Sequence, residues 1–280
     1  MKEERKRFVE NVKQDKSAVL ALSFLILVLL VSITVLWIPI DPDKLDVLHS
    51  LAAPSLQHPF GTDDVGRDYF IRVLYGGRVS LLIGFLAMVM SMSIGVALGL
   101  ISGYFGGIID AVLMRLVDVI SSIPWIIMVM VIGMLFGRGF LSLVLVIGLL
   151  SWMEIARLIR SEVLSLKGRE YVQYARFLGV PAWKILLSHI FPSILPTTIT
   201  AATASVASSI MVESALSFLG RGISAPMSSW GSLLQNAQKF LQKAPYMAVL
   251  PGILIILTVL SFNKLGEVFR KSLEPGGERR

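Results

Sequence analysis

Long apolar runs separated by short charged segments set the plan of this chain. A hydrocarbon core about 30 Å thick takes about 20 apolar residues per helical crossing. Six runs are long enough, at about 18–38, 79–101, 115–136, 140–159, 191–213 and 246–263. The first carries no charge and follows the charged leader MKEERKRFVENVKQDK. Its apolar stretch exceeds a signal-peptide core and no small-residue cleavage pattern follows, so it reads as a retained anchor. The pattern predicts an all-α, polytopic membrane protein with six transmembrane helices.

Two segments between the runs have character of their own. From Ile40 to Arg78 the chain leaves the apolar pattern; Asp41-Pro42 and Ala53-Pro54 mark turns, and Arg67 to Tyr75 reads as a short interfacial helix with Tyr69, Phe70 and Leu74 toward lipid or neighbouring spans. A substrate-recognising loop is the alternative there. Between the fourth and fifth runs lies EYVQYARFLGVPAWKILLSHIFP, Glu170 to Pro192, a water-compatible insert. Tyr171, Tyr174, Ala175 and Leu178 follow i, i+3, i+4, i+7 spacing and predict one helical face, with Glu170, Gln173 and Phe177 elsewhere on the wheel. Gly179 stands where a left-handed C-cap is needed, and Pro181 blocks resumption of the helix. The segment reads either as a connector helix or as a docking site.

Composition supports the membrane assignment: 55% of residues are hydrophobic and 16% charged, against about 25% charged in soluble domains. Cysteine is absent, which excludes disulfides, thiolate metal ligands and a thiol nucleophile. The net charge of +7 is spread along membrane flanks without a basic, aromatic-interleaved stripe, so no nucleic-acid partner is expected. Placing both termini inside puts six Lys/Arg in 1–16, six in 156–190 and five in 264–280 on that side, against eight outside (Lys44, Arg67, Arg72, Arg78, Arg138, Arg221, Lys239, Lys243). Positive charge marks the cytoplasmic face, so the 170–192 insert is expected in the cytoplasm.

Several features inside the runs invite chemistry. Ser91, Gly95, Gly99 and Gly103 repeat every four residues, a stripe suited to internal helix packing or to a partner subunit. The fifth run is small and hydroxylated; Thr200, Thr203, Ser205, Ser208, Ser209 and Glu213 are the expected lining of a translocation path, with tight static packing as the alternative. Asp118 is expected to pair with Arg115 and Glu154 with Arg157, each at i, i+3. Glu213 has no such local partner and is placed near the outer end of its span, within reach of water. Pro124 and Pro251 predict kinks in the third and sixth spans. No Gly-rich loop precedes Lys-Ser or Lys-Thr, so no nucleotide cofactor is expected on this chain and it should not hydrolyse ATP. His49, His58 and His189 form no metal-spaced cluster, and their distribution argues against an intramembrane Ser-His protease.

The insert also resembles the cytoplasmic motif of ATP-binding-cassette importer permeases: Glu-Ala-Ala, three residues, Gly, then about a dozen residues to Leu-Pro. Here Gln173, Tyr174 and Ala175 are followed by Gly179 and by Phe191-Pro192, with Gln and Tyr departing from the family pattern. HPFGTDDVGRDYFIRVLYGGRVSLLIG (His58 to Gly84), GYFGGIIDAVLMRLVDV (Gly103 to Val119), ARLIRSEVLSL (Ala156 to Leu166), ESALSFLGRGISAPMSSWG (Glu213 to Gly231) and LTVLSFNKLGEVFRKSLEP (Leu257 to Pro275) are similar, in order, to segments of the dipeptide and oligopeptide permease family. The chain is identified as a member of the peptide/nickel-type importer permeases, of the second of their two permease types. The resemblance implies a type I importer permease fold in a prokaryotic inner membrane, multi-pass with cytoplasmic termini. It implies 1–78 as N-terminus, first span and external loop, 79–270 as the core with a coupling segment at 160–190, and 271–280 as a tail. It implies as partners a second permease, two cytoplasmic ATPases that hold ATP and magnesium, an external solute-binding protein and membrane lipid. Gln173, Tyr174, Ala175, Arg176, Leu178, Gly179 and Pro181 would contact an ATPase. Family members carry dipeptides, oligopeptides, nickel chelates or oligosaccharides. A secondary transporter would more often show inverted repeats and buried coupling carboxylates; only Asp118, Glu154 and Glu213 are candidates, and no repeat is visible.

Overall fold

A computed structural model describes residues 2–37 and 40–273; most of the expected tail, from 274 onward, lies outside them. Among the described residues there is no β-strand, and the molecule is built from helices α1 to α11. α1 (Lys2–Gln14) and α2 (Lys16–Thr34) meet at Asp15, whose Oδ1 accepts from the Ser17 N–H at 2.9 Å and caps α2. Lys264 Nζ, 2.8 Å from the other oxygen of Asp15, ties this corner to the last helix and holds the Asp15 carboxyl well below the usual carboxylate range.

α3 (Tyr69–Phe105) runs for 37 residues because Asp68 caps its start and no breaker intervenes before Gly106, at φ +66°. Arg67 to Tyr75 therefore is no separate interfacial helix. Its Tyr69 is fully buried and donates to Met247 O at 2.6 Å. α4 (Gly107–Ser121) and α5 (Trp125–Phe136) meet at an angle of 89°. Pro124, expected to kink one span, breaks it: its own ψ of 122° is extended, and a proline supplies no N–H to carry the helix through. α6 (Phe140–Lys167), α7 (Glu170–Phe177) and α8 (Ala182–Ile185) follow. A π turn at Leu186–Ile190 joins α8 to α9 (Phe191–Leu216). α10 (Trp230–Ala237) and α11 (Tyr246–Leu273) complete the described residues, and Pro251, the expected kink position, lies inside α11.

Five helical segments are long and apolar enough to cross a membrane singly, and the bent pair α4–α5 passes only as a unit. Packing decides that it is one crossing. Cβ atoms added at Gly95, Gly99 and Gly103 would stand 2.6, 2.8 and 2.7 Å from the Cβ atoms of Ile155, Ile159 and Val163. Residue numbers rise together along both helices, so α3 and α6 are parallel and α4–α5 must bring the chain back. Asp110 of α4 meets Arg160 near one end of α6, and the Gly137 carbonyl accepts from Ser142 at 2.8 Å at the other. The glycines of the stripe thus serve internal packing, letting backbones approach, while Ser91 turns to Ser205 of α9 at 3.3 Å. α9 is antiparallel to α3, with Gly84 against Ile210 and Ser80 against Glu213. α1, α7, the α3–α4 turn and the end of α11 consequently share one end of the bundle. The 40–68 loop and α10 occupy the other.

Candidate functional site: a projecting helix and a hydroxyl-lined cavity

α7 sits beyond the end of α6. Val172 and Ala175 bury themselves against a cluster containing Ile159, Val163, Ile185 and Ile190. The sequence placed Tyr171, Tyr174, Ala175 and Leu178 on one face; of these only Ala175 is buried, and Tyr171, Tyr174 and Leu178 are exposed, as is Phe177 at 87%. The reason is the approach of α7, through Gly168 and Arg169, which turns its small and β-branched positions to the core and leaves its aromatics outside.

Gly179 adopts φ +76°, as its position after the helix required. The Val180 N–H bonds Ala175 O at 3.1 Å and the Gly179 N–H bonds Arg176 O at 3.0 Å, the Schellman pattern. Pro181 opens α8 as its N-cap residue. Gln173 Nε2 donates to Gly168 O at 3.3 Å, and Arg176 joins Gln173, Phe177, Lys167 and Tyr104 along an open groove of about 590 Å³. The seven expected coupling residues are therefore contiguous at one end of the bundle.

The expected path residues divide. Ser205, Ser208 and Ser209 line a cavity of about 420 Å³ between α5, α6 and α9, with Trp125, Ser151 and Glu154 across from them. Thr200 and Thr203 instead donate to carbonyls of their own helix, Pro196 O at 3.1 Å and Thr200 O at 2.8 Å, and Thr203 meets Gly266 of α11. Glu213 is apart from the cavity and 0% exposed, not within reach of water as the sequence suggested. Ser80 donates to its Oε2 at 3.1 Å, and Ser217 and Ser229 to its Oε1 at 2.7 and 2.6 Å. The Trp230 N–H in turn donates to Ser80 Oγ, and its indole N–H to Val73 O. This knot fastens α10 to α3 and α9.

The expected i, i+3 ion pairs are replaced by pairs across helices. Arg157 Nη2 lies 2.9 Å from Asp118 Oδ1, and Arg160 grips both oxygens of Asp110 at 2.5 and 2.6 Å, with Ser102 also donating to that carboxylate. α4 leans across α6 and brings carboxylates within reach of arginines that would otherwise turn to their own helix. Glu154 is left without an ion pair among the described residues. From the sequence Glu154 was expected to pair with Arg157, with a coupling carboxylate as the alternative; an acidic residue well inside a span is itself a signal.

A bundle with six crossings, one of them broken, that projects a short capped helix from one end and holds a hydroxyl-lined cavity between spans defines the membrane subunit of a transporter. The chain belongs to the family described as binding-protein-dependent transport system inner membrane component, whose profile matches residues 95–277. It is 36% identical to the oligopeptide transport system permease protein OppC of Haemophilus influenzae, over 97% of this chain and 87% of that one. It is 38% identical to the dipeptide transport system permease protein DppC of Alkalihalophilus pseudofirmus, over 80% of this chain and 74% of that one. Among solved structures it shares its fold with an inward-facing MetNI methionine ABC transporter, at a TM-score of 0.59 and 19% identity, covering 73% of this chain and 98% of that one. The family resemblance and the polytopic helical fold expected from sequence are thereby borne out.

Proposed function

We propose that this transport subunit imports peptides, forming half of a translocation path with a second, related permease. Two cytoplasmic ATPases drive it, and an external binding protein delivers the solute. Peptide cargo follows from relatives named for oligopeptide and dipeptide transport. ATP and magnesium belong to the ATPases, because this chain lacks a phosphate-binding loop. The observation that carries the coupling role is α7: an exposed aromatic face of Tyr171, Tyr174 and Phe177, anchored by two small apolar residues and stopped by Gly179, at the end of the bundle where both α1 and the end of α11 lie. The excess of Lys and Arg on that end makes it cytoplasmic. Closure of the ATPases pushes α7, and the buried Val172 and Ala175 pass the push to α6 and α9.

Gly179→Trp tests the coupling. An added Cβ meets nothing within 4 Å, so the bundle should assemble, while positive φ resists a side chain by about 1 kcal/mol or more and the indole fills the ATPase contact. Peptide uptake and substrate-stimulated ATP hydrolysis by the complex should fall together, and Phe177→Ser should reproduce the loss without touching the backbone. Wild-type uptake in both assembled variants would remove the docking role. Orientation has its own check, since the native chain is free of cysteine: Ser55→Cys should react with an impermeant reagent from outside and Ser165→Cys only from inside.

A further inference from the structure

Glu154 is the residue whose placement the coupling and packing leave unexplained. It is fourteen residues from the start of α6 at Phe140, hence about 20 Å along the helix at 1.5 Å per residue, well within a hydrocarbon core about 30 Å thick. It is exposed, and no described residue pairs with it. Arg157, one turn on, is committed to Asp118. An acidic side chain at that depth is tolerated where it faces water or a counter-charge and is costly where it faces lipid. Here it faces the 420 Å³ cavity, whose other polar groups are the hydroxyls of Ser151, Ser205, Ser208 and Ser209. No Lys, Arg or His lines that cavity. A single negative charge among neutral hydroxyls, with Trp125 on the wall, is a surface that attracts a cation and repels an anion.

We propose that Glu154 is the charge-selecting residue of the translocation path, pairing in passing with the ammonium group of the solute. The inference rests on reading this cavity as part of the path. The hydroxyls solvate the remainder of a polar solute without charge preference, and the indole of Trp125 offers a face to the same cation. Because the contact is one charge in a wetted space, it selects without trapping. Glu154 acts here by contact with the solute, while α6 keeps its place on α3 through Ile155 and Ile159, which pack against Gly95 and Gly99.

The test uses the assembled transporter in membrane vesicles with Ser208→Cys, in otherwise cysteine-free permease, and a pair of thiol-reactive methanethiosulfonates of similar size, one cationic and one anionic. The ratio of their reaction rates is compared between Glu154, Glu154→Gln and Glu154→Asp backgrounds, which cancels the reagents' intrinsic difference. One charge in a wetted cavity with low-dielectric walls, which focus its field, should raise the cationic-to-anionic ratio roughly tenfold over the Glu154→Gln background, and Glu154→Asp should keep most of that preference. Equal ratios in all three backgrounds would overturn the selecting role while leaving a wetted path intact. A cysteine at position 208 that reacts with neither reagent, with or without ATP and solute, would overturn the path reading itself and the inference with it.

Discussion

Glu213 and Glu154 are the same residue type, both lie in spanning helices and both are set among serines, yet the protein treats them in opposite ways. Glu213 is enclosed: three hydroxyls donate to its two oxygens, Gly231 closes over it, and α10 is held by the same serines. Glu154 is open, unpaired and surrounded by hydroxyls that line space in place of donating to it. A carboxylate inside a membrane protein survives by complete hydrogen bonding or by contact with water. The two cases therefore separate a structural carboxylate from a functional one without reference to sequence position.

Thermal inactivation of the purified complex puts both sites on one scale. Glu213→Leu should have the largest effect, since it leaves Ser80, Ser217 and Ser229 buried without their acceptor, at about 3 kcal/mol or more in sum; folded complex should be scarce after extraction. An inactivation temperature unchanged from wild type would dissolve the distinction. Gly95→Val probes the seam directly behind Glu154. Its Cβ would stand 2.6 Å from Ile155 Cβ and 2.8 Å from Trp152 O, so overpacking should cost about 1–3 kcal/mol, against little change if α6 slides freely on α3. Glu213→Gln keeps an acceptor for Ser217 and Ser229 and disturbs only the Ser80 side, so the loss should shrink to about 1 kcal/mol. Glu154→Gln should fall within about 0.5 kcal/mol of wild type, its consequence showing in uptake and reagent selectivity instead of stability. A stability loss comparable to that of Glu213→Leu would make Glu154 another buried anchor.

Much of this was legible in the chain because the bilayer imposes its requirement locally. The number of crossings, the capped end of α7, the left-handed Gly179 and the small-residue stripe each depend on residues near one another in sequence, and each follows its pattern. The misreadings share a different origin. Whether Pro124 kinks or breaks a span depended on where α4 had to lean to meet α6. Whether Arg157 turned to Glu154 or Asp118 depended on a helix thirty-nine residues away in sequence. The buried line of α7 shifted from Tyr171 and Tyr174 to Val172 because the core it meets is assembled from α6, α8 and α9. The family and its membrane-spanning plan are set by local composition and ordered motifs; which polar groups are caged and which face open space is decided only in the tertiary structure, because a charge in a low-dielectric interior answers to its nearest partners in space.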